Sequence, residues 1–259
     1  QKDREDFQKK WGDINVFIQY GILTDDKFHE KAKAFSLFKN TKDEYFTTDE
    51  YKEKVKAAQT DKNDKLVFLY THDKDEHHSL IQTANEKGYD VLLLEGPLSS
   101  HYITKAEQDL GVSFARVDAD TIDKIIAKEE DIPSKLTKEQ EEGLTPIFEK
   151  IVEKEKYVIQ VESLSESEKP VLITQSEFMR RMKEQQAVGG GGMNMMGAMP
   201  EMYNLVVNTN HPMISKLVES KGAKQDKLAK QVVDLALLSH GMLKGKDLTE
   251  FVERSFELI

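Results

Sequence analysis

Residues 66–117 read LVFLY-THDKDEHHSLIQTANEKG-YDVLLL-EGPLSSHYITKAEQDLG-VSFARV. Leu66-Val67-Phe68-Leu69-Tyr70, Val91-Leu92-Leu93-Leu94 and Phe114-Ala115-Arg116-Val117 are short runs rich in β-branched and aromatic residues, which predicts three strands. His77 to Lys87 and Ser100 to Leu110 lie between them with helical spacing, and each ends at a glycine, Gly88 and Gly111, suited to a helix C-terminus. The order is βαβαβ. Both connections are long enough for parallel pairing, and strands apolar on both sides belong to a sheet covered on both faces.

Working outward, residues 1–60 are predicted to be helical. Phe7, Trp11 and Ile14 share one face; Phe28, Ala32, Phe35 and Phe38 form a second stripe after the cap Thr24-Asp25-Asp26; Thr48-Asp49-Glu50-Tyr51 starts a third helix that runs to Gln59. Residues 121–140 are charged and poor in large apolar groups, and Ile132-Pro133-Ser134 interrupts them. From Thr145 the pattern becomes α+β. A helix starts at Pro146, strands fall at 157–161, 171–173 and 202–208, and helices at 176–186, 212–220, 224–240 and 246–258. The expected organisation is a helical segment at 1–60, a small α/β subdomain at 61–130, a connection at 131–145 and an α+β domain at 146–259. The fold class is therefore α/β followed by α+β.

The bulk numbers exclude several functions. The net charge of −10 with no basic stripe argues against nucleic acid as the partner. With no cysteine, neither a disulfide framework nor a thiolate metal site is possible, which fits a reducing, cytoplasmic setting. No apolar run approaches the roughly 20 residues that span a membrane. The chain opens on Gln1 with mixed charges, as expected of a piece cut from something longer without a targeting segment.

No catalytic constellation stands out. Gly189 to Gly192 lack the following Lys-Ser/Thr of a phosphate loop, and the turn Thr71-His72-Asp73-Lys74-Asp75 lacks the glycines of a dinucleotide site. His72, His77 and His78 lie among Asp73, Asp75 and Glu76, but His77 and His78 are adjacent and point to different sides, so a solvated helix start is expected there rather than a metal site. His211 before Pro212 is expected to cap a helix, and His240 beside Gly241 to close one. No catalytic, cofactor-binding or metal-ligating residue is assigned.

Two features point to binding. All nine methionines lie after residue 178, and no charge falls between Ala187 and Pro200. Met193, Met195, Met196 and Met199 flank or follow the glycine run with no helical or strand period, so they read as an adaptable apolar loop; Phe178, Met179 and Met182 precede it and extend the same surface. Met202, at the start of a strand, reads as core. The last two helices carry Leu228, Val232, Leu235 and Leu238, then Leu248, Val252 and Phe256, more apolar surface than a small domain needs. They either bury wholly within the domain or form a four-helix interface with a second copy about a two-fold axis.

Several segments resemble the Hsp90 family, in its order and over nearly the whole chain. Asn208-Thr209-Asn210-His211-Pro212-Met213-Ile214 resembles the N-x-N-H-P segment of its C-terminal domain, and Leu235 to Leu238 with Leu243, Leu248 and Phe251 to Arg254 its closing helices. Lys87 to Leu94 resembles a strand of its small middle subdomain, and Phe7 to Ile22 the segment after the large one. The resemblance implies the end of the middle region plus the C-terminal dimerisation domain of an ATP-dependent homodimeric chaperone of bacterial type. ATP and Mg then belong to parts of the parent outside this piece, which is itself not an enzyme and holds no cofactor. The implied partners are a second copy, unfolded clients and co-chaperones, with no nucleic acid and no membrane. The family's client surface maps to Phe178, Met179, Met182 and the loop through Met199, with a second patch near Ser100, His101, Tyr102 and Thr104. A small α/β enzyme with His72, His77 or His101 at strand ends, or a purely structural dimer adaptor, are the alternatives.

Overall fold

The computed structural model describes residues 3–126, 132–188 and 202–258. They form two contact units, the first holding the described residues up to Ile126 together with 177–188, the second holding 132–176 and 202–258.

The first unit begins with α1 (Arg4–Thr24), capped by the Asp3 carboxylate, which accepts the Asp6 N–H at 3.0 Å. The Asp25 carboxylate, rather than Thr24, caps α2 (Asp26–Ala32), accepting the N–H groups of Lys27 and Phe28 at 2.8 and 3.0 Å. Where the two helices meet, a Cβ on Gly21 would sit 2.7 Å from the Phe28 ring. Gly21→Ala is therefore expected to lower stability by about 1–3 kcal/mol through overpacking, read as a fall in thermal midpoint; an unchanged midpoint would mean the ring moves aside freely.

The helical expectation for 1–60 fails at Phe35 and Phe38. α2 stops at Ala32, and Leu37–Lys39 (β1) pairs antiparallel with Tyr45–Thr47 (β2). The turn is built by Asn40, whose Oδ1 accepts the N–H groups of Lys42 and Glu44 at 3.0 and 2.9 Å, with Asp43 left-handed at φ +63°. Thr47 and Glu50 then form a reciprocal capping box at the start of α3 (Thr48–Gln59).

The predicted βαβαβ follows as β3 (Val67–Thr71), α4 (His78–Glu86), β4 (Val91–Leu93), α5 (Ser99–Leu110) and β5 (Ser113–Arg116). All pairings are parallel, in the order β4-β3-β5. Gly111 ends α5 at φ +66°, a conformation strained for any residue with a Cβ. Phe38, Tyr51, Phe68 and Phe114 pack on one face of the sheet, and Ile81, Ala84, Ile122 and Ile126 on the other. A short α6 (Ile122–Ile125) closes this stretch.

In the second unit, α7 (Lys138–Glu149) starts inside the expected connection, because Thr137 and Gln140 form a capping box. Pro146 lies within this helix rather than at its first turn. The sheet comprises β6 (Tyr157–Glu162), β7 (Val171–Thr174) and, later, β8 (Tyr203–Asn208), in the order β6-β8-β7, with β6 parallel and β7 antiparallel to β8. Between β7 and β8 in sequence lies α8 (Glu177–Val188), which packs with the first unit although it was expected in the C-terminal domain. Met202 is 41% exposed, so it is not core. α9 (Pro212–Glu219), α10 (Ala223–Ser239) and α11 (Gly245–Leu258) end the chain. Leu144, Phe148, Leu205, Ile214 and Leu217 are fully buried at the centre of this unit. The overall class is mixed α/β. Among the described residues, no helix is long and apolar enough to cross a membrane.

Candidate functional site

Ligands of open parallel sheets bind at the carboxyl ends of the strands. Here those ends are β3 at Thr71, β4 at Leu93 and β5 at Arg116, and helix α8 of the same chain is bonded to β3 and β5 there. Glu177, Arg180, Arg181 and Glu184 recur at helical spacing and share one face. Glu177 accepts the Tyr70 hydroxyl at 2.7 Å and the Arg116 N–H at 3.2 Å. Arg180, 5% exposed, donates to Tyr70, to Glu177 and to Glu184, with its guanidinium over the Tyr70 ring. Arg181 donates to Glu107 at 2.7 Å and to the Phe114 carbonyl at 2.6 Å. Burial and the neighbouring Glu177 push the Tyr70 hydroxyl well above its ordinary pKa. Burial would raise the Glu184 carboxyl, but the Ser100 hydroxyl and Arg180 outweigh it and hold the group below the usual range.

The opposite side of α8 is apolar. Phe178 is 71% exposed, and Met179 and Met182 are half-buried. Ser100 bonds Glu184, and Gln185 reaches Thr104 at 3.2 Å, so α8 lies directly beside the Ser100–Thr104 patch. Within that patch Tyr102 is largely spent on packing: its ring meets Phe38 and burial raises its hydroxyl pKa. His101 is half-buried, its Nδ1 without a partner among the described residues. Met193, Met195, Met196 and Met199 lie outside the described residues.

The charged face of α8 was not singled out from sequence. The available signal was Arg116, an arginine in an apolar strand two residues before Asp118. Both are buried and paired to each other, and Asp118 is held below the usual carboxylate range because Arg116 outweighs its burial. The turn at 72–78 also departs from expectation, since His77 is only 3% exposed rather than solvated. Burial pushes its pKa down to about 4.

On α10 and α11, Leu235 (47%), Leu238 (41%), Val252 (42%) and Phe256 (74%) are exposed, while Leu228 and Leu248 are half-buried. Val232 differs from its expected place at an interface. It sits in the core with Ala229, Val233 and Ala236, because it is on the α10 face turned to the sheet. Asp234, fully buried, ties the two helices together by accepting from Arg254 of α11 and, at 2.7 Å, from Lys230.

Residues 1–259 match the model of the family described as Hsp90 protein. The chain belongs to the Hsp90 family. Relatives include the chaperone protein HtpG of Bacteroides thetaiotaomicron and that of Porphyromonas gingivalis, each 34% identical over the whole of this chain and 48% of theirs. HtpG of Ruthia magnifica is 24% identical over 98% of this chain and 40% of its own. The chain thus spans about half the length of the curated relatives it matches. Its Hsp90 motif at 208–212 is a backbone clasp. Asn208 Oδ1 accepts the N–H groups of Leu164 and Asn210, each at 3.1 Å, and Asn210 donates to the carbonyls of Leu164 at 3.0 Å and Pro133 at 3.2 Å. His211 caps α9 by accepting the Met213 N–H at 3.0 Å, as expected, and burial lowers its pKa.

Proposed function

We propose that this chain is the self-association and client-holding part of an Hsp90-type chaperone. The observation that carries the reading is the exposure of Phe178 and Phe256 on helices pinned from behind by charged networks. Phe178, Met179 and Met182 then offer clients an adaptable apolar strip bordered by His101, and Met193, Met195, Met196 and Met199, which follow in the sequence, are assigned the same role. Leu235, Leu238, Val252 and Phe256, flanked by Leu228 and Leu248, meet their copies across a two-fold axis. ATP turnover with Mg is assigned to sequence outside this stretch, in keeping with the glycine-free turn Thr71–Asp75. The reading places the protein in the cytoplasm, with co-chaperones as further partners. An α/β enzyme is the weaker reading, because the Tyr70 hydroxyl and the Arg116 N–H at the strand ends are already taken up by Glu177 of α8.

Sedimentation of the 259-residue chain at micromolar concentration tests the first half of the proposal. A dimer is expected that Leu235→Asp and Phe256→Asp each weaken by at least about tenfold, since a charge must be buried at the contact. A monomeric wild type removes the dimer. Phe178→Ser with Met182→Ser is expected to weaken binding of an unfolded client by about tenfold through lost apolar contact. Unchanged affinity removes α8 from the client surface.

A further inference from the structure

The turn between β3 and α4 carries a cluster that neither the apolar strip nor the dimer surface uses. One ligand atom from each of His72, Glu76 and His77 lies within 4.8 Å of the others. His72 Nε2 is 3.1 Å from Glu76 Oε2, close to the roughly 3.3 Å edge of a tetrahedron whose metal–ligand bonds are about 2.0–2.1 Å. The rings of His72 and His77 stand edge to face with centroids 5.1 Å apart.

The hydrogen bonds fix which nitrogens are free. The Thr71 hydroxyl donates to the Asp73 carbonyl at 2.8 Å, so toward His77 it can only accept, and the 2.8 Å contact with Nδ1 must be Nδ1–H donating. This leaves His77 Nε2 as a lone pair. Its charged neighbours are Glu76, Asp118 Oδ2 at 3.7 Å, itself an acceptor, and the Arg116 guanidinium that holds Asp118. A histidine whose second nitrogen is tied to a fixed oxygen is oriented as metal-bound histidines are. The His77 side chain is 3% exposed, so the ring is held in place before any ion arrives.

We propose that His72, Glu76 and His77 bind a divalent first-row transition ion, of the zinc or nickel class. Two imidazoles and one carboxylate suit these ions, whereas calcium and magnesium take oxygen ligands. The fourth position belongs to water. His72 must change tautomer to take part. It now accepts from Arg116 Nη1 at Nδ1, 3.3 Å, and donates from Nε2 to Glu76. On binding, the ring proton moves to Nδ1, Nε2 and the Glu76 carboxylate turn to the ion, and no proton is lost. Arg116 gives up that one contact and keeps Asp118 through Nε and Nη2. The ion would clamp the first residue after β3 to the start of α4.

Titration of the 259-residue chain with Co²⁺, followed by visible absorption, and with Zn²⁺, followed by calorimetry, tests the proposal. One equivalent and the intense absorption of low-coordinate Co²⁺ are expected. His72 and Glu76 have exposed side chains, 43% and 51%, so His72→Asn and Glu76→Gln should leave the fold intact. Each is expected to weaken Zn²⁺ binding by at least about tenfold, and His78→Asn, on the exposed side of the helix start, to leave it unchanged. No Co²⁺ spectrum, or equal affinity in the His72→Asn/Glu76→Gln double variant, overturns the site.

Discussion

Replacing Arg254 by leucine is expected to destabilise the second unit by about 3–5 kcal/mol, the cost of breaking a buried ion pair from one side. Asp234 is fully buried in α10, and Arg254 approaches it from α11 while donating through Nε to Gln231 at 2.8 Å. Without the guanidinium, Asp234 keeps Lys230, from its own helix, as its charged partner among the described residues. Gln231 also loses the donor that holds its carbonyl oxygen, although it still reaches Ser255 at 3.1 Å. Urea denaturation should show the midpoint falling with the slope preserved. The double replacement Asp234→Leu/Arg254→Leu should recover most of the loss, because an apolar pair of similar volume removes the uncompensated charge. If Arg254→Leu costs under about 1 kcal/mol, the carboxylate is not relying on α11, and the pair is an exposed-type contact despite its burial. The stake reaches beyond stability. Val252 and Phe256 are exposed on the same helix, so loosening α11 should also weaken any self-association through them.

What could be read from the residues alone follows a physical divide. The βαβαβ unit was legible because its strands are continuous apolar runs and its helices end at glycines, signals carried by neighbours in sequence. The helices of the second unit were legible from their periods. The β1–β2 hairpin was not, because Phe35 and Phe38 continue the spacing of Phe28 and Ala32 by coincidence, while the turn depends on the Asn40 side chain capping two later N–H groups. The start of α7 is written in Thr137 and Gln140, but Pro146 suits a first turn equally well in the sequence; the helix instead holds it three residues before its last residue, Glu149. The role of Val232 was hidden because an apolar stripe does not say which part faces the sheet. Least legible was α8. Its Glu and Arg residues look like any solvated face until Tyr70, Glu107 and Arg116, more than 60 residues away, supply their partners.

That long-range closure makes Arg180 the residue on which α8 turns. Arg180→Met is expected to weaken the attachment of α8 by about 2–3 kcal/mol, since it removes the charged hydrogen bonds that a buried guanidinium makes to Tyr70, Glu177 and Glu184. Arg181 still bonds Glu177 at 2.5 Å and Arg116 stands 3.6 Å from Glu184, so both carboxylates keep a cation and the cost stays below that of an orphaned buried charge. Tyr70→Phe removes one neutral partner and should cost only about 1 kcal/mol. Helices of this length are marginal alone, so a released α8 should unfold rather than drift as a rod. Amide exchange over 177–185 should accelerate in Arg180→Met while β3 and β5 stay protected; unchanged protection would show that the apolar contacts of α8 suffice. Acid should act in the same direction. The Glu184 pKa is depressed in the folded chain, so its contribution is complete above its unfolded value of about 4.3 and is lost as pH falls through the folded one. Phe178 and Met182 keep a defined surface only while this network holds the helix. Arg180→Met should therefore lower client affinity without touching an apolar residue, which a client surface made of unstructured sticky chain would not predict.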